Sequence, residues 1–150
     1  MPSASPYLFG QSAGAYSAFR PESEYPPELL ARVLSFLPPE RCHCAMYLGA
    51  GTGKSTILLD HFAEVIAIEA DPLIVEKLRT SAPGAIIRSV SVEDCIQEPS
   101  SVDLVTVVAA LHWTDIPRVM THIARWLRPE GLLAARREVC PPEEALEWIL

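Results

Sequence analysis

The sequence predicts an α/β domain, a three-layer sandwich whose mainly parallel sheet of about five strands lies between helices. Three observations lead there. Short apolar runs alternate with amphipathic helical stretches over residues 45–139. Such alternation builds a parallel sheet, because each helix carries the chain back to the edge where the previous strand began. Val65-Ile66-Ala67-Ile68 is apolar at every position, as in a strand buried on both faces. A glycine turn, Gly49-Ala50-Gly51-Thr52-Gly53, joins the first strand-like run to the helical stretch after it, and that junction is where open α/β sheets receive nucleotide-like ligands.

The elements follow in order. Phe9, Tyr16 and Phe19 share one face of a short helix, and Arg20-Pro21 ends it because proline disfavours helical geometry in the residue before it. Pro26-Pro27 opens a second helix, where a fixed φ is tolerated in the first turn. Leu29, Leu30, Val33, Leu34 and Leu37 give this helix its apolar spacing, and Pro38-Pro39 stops it. The first strand spans 45–48; after the glycine turn a helix is expected over 55–63. The second strand, 65–68, runs out into Glu69-Ala70-Asp71-Pro72, and the next helix covers 73–80. A third strand is expected from Ile86-Ile87 through Val92, and a fourth over 104–109, entered by Asp103. Ile116, Val119, Met120, Ile123 and Trp126 or Leu127 line one side of a helix over 116–127. Pro129-Glu130-Gly131 turns the chain into a fifth strand, 132–139, and residues 143–150 start another helical pattern.

Length and composition bound the function. The 150 residues allow one domain with a real hydrophobic core and little more. The formal net charge is −7 and no stretch gathers Lys and Arg into a stripe, which argues against a nucleic-acid partner. No apolar run approaches the ~18–20 residues of a membrane span, and residues 1–19 lack the basic and apolar regions of a secretory signal. A cytoplasmic chain with reduced thiols is the resulting expectation. Cys42-His43-Cys44 invites a zinc site, but no second ligand pair stands elsewhere to complete four-coordination, so no metal is expected.

Three nucleotide patterns compete for the glycine turn. Gly53-Lys54-Ser55 suggests a phosphate-binding P-loop, yet that motif needs its first glycine where this sequence has Leu48. No strand ends in a magnesium-binding aspartate either, Asp103 being expected ahead of its strand. A dinucleotide turn needs a third glycine where Lys54 stands. Gly-x-Gly-x-Gly is satisfied by Gly49, Gly51 and Gly53, and about twenty residues further on Glu69 offers a carboxylate for both hydroxyls of a ribose.

On these residues the sequence resembles the class I S-adenosylmethionine-dependent methyltransferases. Tyr47-Leu48-Gly49-Ala50-Gly51-Thr52-Gly53 and Val65-Ile66-Ala67-Ile68-Glu69-Ala70-Asp71 are similar to motif I and to the acidic strand that follows it. Ser91-Val92-Glu93-Asp94 looks like the loop that brackets adenine. Ser101-Val102-Asp103-Leu104-Val105 with Ala109-Ala110-Leu111-His112-Trp113 resembles strand four, and Trp126 to Leu133 the turn into strand five. Tyr16, Phe19-Arg20-Pro21, Tyr25-Pro26 and the His112-Trp113 pair are similar to the small-molecule branch that includes trans-aconitate methyltransferase, methyltransferase type 11.

The resemblance implies a Rossmann-like core over 41–150 with helices of 1–40 as a cap, and S-adenosyl-L-methionine as cofactor. Gly49, Ala50, Gly51, Thr52, Gly53, Glu69, Ala70, Val92, Glu93 and Ala109 would bind it. His112 stands near the transferred methyl and can act as a base, and Arg20 can pair with a carboxylate. The implied activity is methyl transfer to a small molecule, a carboxylate among the candidates. Tyr47 occupies a position that is usually acidic, and Pro129-Glu130-Gly131 replaces Pro-Gly-Gly. The family sheet has two more strands than the five expected here, which suggests a shortened form. The rival reading is therefore a weak or inactive homologue with a binding or regulatory role. An uncovered fifth strand would also invite self-association.

Overall fold

The computed structural model describes residues 27–53, 61–136 and 148–149. The elements are α1 Pro27–Leu34, β1 Cys44–Leu48, β2 Glu64–Glu69, α2 Pro72–Ser81, β3 Ile86–Ser89, β4 Val102–Val108, α3 Ile116–Trp126, β5 Leu127–Arg136 and β6 Trp148–Ile149. Short 3-10 turns occupy Pro39–Arg41 and Leu111–Trp113. The strands form one sheet of order β3-β2-β1-β4-β5-β6. Its first five strands are parallel, and β6 pairs antiparallel with Ala135 and Arg136 of β5.

The expected mainly parallel α/β architecture is present. From β1 the chain moves outward to β2 and β3, then crosses back to build β4 and β5 on the other side. That reversal opens a crevice at the C-terminal ends of β1 and β4, the place where such sheets hold ligands.

All five residues of β1 are buried, so both faces of the sheet are covered. Alternation divides them. Met46 and Leu48 join Ile66, Ile68, Val105 and Val107 under Val119, Ile123 and Trp126 of α3. Ala45 and Tyr47 face the other way, with Ala67 and Leu104, toward Val33 of α1, Leu37 just beyond it and Leu78 of α2. Period-two side-chain alternation thus divides one apolar run between two cores. Helix starts are fixed locally: Asp71 Oδ1 accepts from Leu73 N at 2.9 Å and Asp115 Oδ1 from Arg118 N at 3.2 Å. Each cap satisfies a donor that the first helical turn leaves open, worth about 1 kcal/mol.

Several boundaries differ from the sequence reading. The helix expected over 55–63 falls partly outside the described residues, and 61–63 form a turn into β2. The third strand stops at Ser89, because Ser91 Oγ and the Asp94 carboxylate tie the following residues into a compact loop. The fourth starts at Val102, so Asp103 lies inside it. Pro129-Glu130-Gly131 sits within β5: the pairing jumps from Val102↔Leu127 to Leu104↔Leu132, a bulge, and Glu130 takes φ +66°. Residues expected to precede the strand are instead absorbed as extra length in it. The helix expected over 143–150 is corrected at its end, where Trp148–Ile149 is strand; a partly open edge on β5 lets backbone pairing outweigh a helical pattern there. The short helix expected near residues 9–19 lies outside the described residues.

Asp103 clasps the N-terminal ends of the central strands, remote from the glycine turn. Its side chain is 0 % exposed. Oδ2 accepts from His43 N at 3.1 Å and Cys44 N at 2.9 Å, and Arg128 Nη1 donates to Oδ1 at 3.2 Å. Cys44 is buried beside it with its thiol toward Glu64. Burial first, then the Glu64 charge, pushes that thiol up to about 12, so it stays protonated. Asp103→Ala is expected to lower the free energy of unfolding by about 3 kcal/mol, since it strands two backbone donors and a guanidinium. Urea denaturation checks this. Ligand affinity of the protein that remains folded should be unchanged, because the clasp lies at the far end of the strands.

Candidate functional site

The glycine turn leaves β1 with three residues in left-handed geometry: Gly49 at φ +66°, Gly51 at +57° and Gly53 at +87°. Side chains rarely adopt these angles. A Cβ on Gly49 would lie 2.6 Å from the Ala110 Cβ, which brings the exit of β4 directly over the turn. Among the described residues a Cβ on Gly51 would meet nothing within 4 Å. Thr52 between them is buried.

The hydrogen bonds decide which ligand the turn suits. Ala50 N donates to Ile68 O at 2.9 Å, Gly51 N to Glu69 Oε2 at 2.9 Å and Gly53 N to Ala50 O at 3.1 Å. A phosphate cradle needs such amides pointing at the anion. Here three are committed internally, and a carboxylate stands at the turn. Among the described residues of the turn this geometry disfavours the P-loop reading.

Glu69 ends β2 half-buried. Its Oε1 accepts from Asp71 N at 2.9 Å while Oε2 holds Gly51. Each carboxylate oxygen keeps a further lone pair, so the group is oriented but not exhausted. Ala70 beside it is half-buried. Asp71 is buried, its Oδ1 capping α2 and its Oδ2 without a partner.

The remaining predicted residues sit at the same edge, on the segments that follow β3 and β4. Val92 is part of the core under α3. Glu93 is less available than its motif suggests: its Oε1 accepts from Asp115 N at 2.9 Å, and its carbonyl lies 3.0 Å from His122 Nε2. Its carboxylate therefore braces α3, and the backbone of 92–93 is what can flank a ligand. Ala109 adopts φ +51° and donates its N–H to Arg136 O at 2.8 Å, bending the chain at the end of β4. His112 is exposed in the 3-10 turn, its ring 4.8 Å from that of Trp113 at 45°. Trp113 is 68 % exposed. Arg20 and Lys54 lie outside the described residues.

Sequence reasoning placed Ala110 in the strand-four motif without foreseeing that it roofs Gly49, and it missed Ser81, which lies outside every motif and whose hydroxyl donates to Thr52 O. It also missed the brace from Asp115 and His122 to the loop after β3, although Asp115 ahead of Pro117 is a readable cap signal. Among the described residues no group of three or more His, Cys, Asp or Glu could hold a metal ion. No helix among them is long and apolar enough to cross a membrane.

A family model described as a methyltransferase domain matches residues 46–135, from β1 to the end of β5. An uncharacterised methyltransferase of Mycobacterium tuberculosis is 36 % identical over 142 residues, covering 94 % of this chain and 55 % of that protein. Trans-aconitate 2-methyltransferase of Escherichia fergusonii is 31 % identical over 126 residues, 81 % of this chain and 48 % of the relative. The chain thus spans about half the length of these curated relatives. Among solved structures, phosphoethanolamine N-methyltransferase 1 of Haemonchus contortus, in complex with phosphoethanolamine and S-adenosylhomocysteine, superposes with a TM-score of 0.67 at 19 % identity. It covers 89 % of this chain and 32 % of that one.

Proposed function

The chain belongs to the methyltransferase-domain family, the class I S-adenosylmethionine-dependent methyltransferases, and from this premise we propose that it transfers a methyl group from S-adenosylmethionine to a small-molecule acceptor. The residues present fit that cofactor. Gly51 leaves room for close backbone approach, and Glu69 keeps lone pairs for two ribose hydroxyls. The observation that carries the reading is this Glu69–Gly51 clamp, which joins the carboxylate to the turn.

When bound, S-adenosylmethionine supplies a methyl carbon already activated by its sulfonium. What the chain contributes is alignment and exclusion of water. Gly49, Ala50, Gly51, Thr52 and Gly53 would shape the floor under the methionine part. Glu69 and Ala70 would receive the ribose, the backbone of Val92 and Glu93 would flank adenine, and Ala109 would close the site from β4. Tyr47 lies beneath the turn, buried on β1, where an acid would give stronger attraction for an ammonium. His112 would take the proton released when a hydroxyl or amine is the nucleophile.

Carboxylate-bearing acceptors are the class to screen first, following the resemblance to trans-aconitate 2-methyltransferase. A carboxylate is already ionised and needs no base, so His112→Ala separates the acceptor classes. With a hydroxyl or amine acceptor kcat is expected to fall about a hundredfold; with a carboxylate it should change only a few-fold. The cofactor is tested by calorimetric titration with S-adenosylhomocysteine, using magnesium-ATP as the control. Saturable binding of the former alone supports the reading, and binding of ATP alone overturns it. Self-association through β5, where β6 occupies two positions, belongs to the same proposal and is read by light scattering. A reducing cytoplasmic setting does too, with Cys42, Cys44 and Cys95 all free.

A further inference from the structure

Helix α2 touches the glycine turn at both of its ends. At the N-terminal end the link runs through Glu69, which accepts from Asp71 N on one oxygen and from Gly51 N on the other. At the C-terminal end Ser81 Oγ donates to Thr52 O, across 29 residues of sequence. The same hydroxyl lies 3.1 Å from Lys77 O and 3.3 Å from Leu78 O. A serine has one proton to give, and of the three acceptors only the Thr52 carbonyl lies outside α2.

That contact immobilises a particular peptide. The carbonyl of the Thr52–Gly53 unit is held by Ser81, while its N–H donates to Ala50 O at 3.1 Å. With both ends fixed, the Thr52–Gly53 plane has little freedom to rotate, and it lies one residue beyond Gly51, where a Cβ would meet no described residue within 4 Å. The absence of a side chain at residue 53 is what permits the approach: a Cβ there would lie 2.6 Å from Ser81 Oγ and 2.8 Å from Leu78 Cδ1.

We propose that Ser81 is a positioning residue for the cofactor, acting through the glycine turn. By holding the Thr52 carbonyl it keeps the turn in its binding shape before the ligand arrives. The proposal rests on the methyltransferase reading. A turn released from Ser81 would have to be ordered at the moment of binding, and that cost appears as lost affinity. The role requires no contact between Ser81 and the ligand.

The test compares S81A and S81T with T80A in the full chain, at a temperature where circular dichroism shows each variant folded. Thr80 Oγ1 makes a bond of 3.5 Å to Glu76 O within the same helix, so T80A reports a change in the helix alone. S81A is expected to bind S-adenosylhomocysteine about five- to tenfold more weakly. S81T, which keeps the hydroxyl, should recover to within about twofold of the unaltered chain, and T80A should match it. In the absence of ligand, hydrogen exchange at the Gly53 amide should quicken in S81A by a similar factor. An unchanged affinity in S81A, or an equal loss in T80A, overturns the proposal. If the unaltered chain does not bind S-adenosylhomocysteine, the cofactor reading falls. The Gly53 exchange rate then judges the hold on the turn separately: faster exchange in S81A upholds it, and an unchanged rate overturns it.

Discussion

Replacing Glu69 with alanine is expected to weaken S-adenosylhomocysteine binding by about two orders of magnitude or more. The side chain does two jobs at once. It orients the turn by accepting from Gly51 N and Asp71 N, each at 2.9 Å, and it is the acceptor proposed for the ribose. Hydrogen bonds to a charged group contribute about 1.5–3 kcal/mol each, so losing the pair to the ribose accounts for most of the effect. The rest comes from the released Gly51 amide, because a turn that must be ordered on binding costs affinity. Glu69→Gln should fall between the two. It keeps one oxygen as an acceptor, but its amide nitrogen must face a backbone N–H, donor against donor. A loss of about tenfold is expected there. Calorimetric titration measures both variants, and thermal unfolding in the absence of ligand reports what the clamp contributes to the fold itself. Unimpaired binding by Glu69→Ala would falsify the assignment of this carboxylate to the cofactor.

The second large effect separates two glycines that look equivalent in sequence. Gly49→Ala places a methyl 2.6 Å from the Ala110 Cβ, in a residue held at φ +66°. The left-handed backbone costs about 1–2 kcal/mol for a residue with a Cβ, and overpacking against β4 adds about 1–3 kcal/mol. The expected result is a protein destabilised by at least about 2 kcal/mol, read by urea denaturation. Gly51→Ala carries a similar backbone strain at φ +57°, but its Cβ would meet none of the described residues within 4 Å. Its cost to stability should stay near 1 kcal/mol. Its cost to binding should be the larger of the two, since the added methyl occupies the space left for the ligand. Gly49 thus maintains the sheet and Gly51 the site. Equal stability losses in the two variants would refute that division.

The order of the elements was legible because it is written in local periodicity. The alternation of apolar runs and helical stretches predicts β1, β2, α2, β4 and α3 within a few residues, and the Asp71-Pro72 start of α2 is readable from its cap. The chemistry of the turn was equally accessible. Three glycines at alternate positions and an acid at the end of the next strand are local facts, and with Leu48 where a P-loop needs glycine they disfavour a phosphate cradle on spacing alone. Boundaries fared less well where pairing decides them. Asp103 reads as a residue ahead of a strand, yet it lies within β4 because the amides of His43 and Cys44 and the guanidinium of Arg128 compensate its charge. Pro129-Glu130-Gly131 reads as a turn, and the chain accommodates it as a bulge in β5.

What the sequence determined by itself, then, is the class of the fold, the position of the turn and the place of Glu69 at the end of β2, because each depends on neighbours within one strand, one turn or one helix. What the tertiary structure alone decided is which groups meet across elements. Ala110 roofs Gly49, Ser81 holds Thr52, and Glu93 spends its carboxylate on α3 rather than leaving it open. These residues are separated by 22 positions in the closest case of the two hydrogen bonds and 29 in the other. No periodicity encodes such contacts. They exist only once burial of two separate apolar faces has fixed the helices against the sheet, since packing, unlike propensity, is a property of the whole chain.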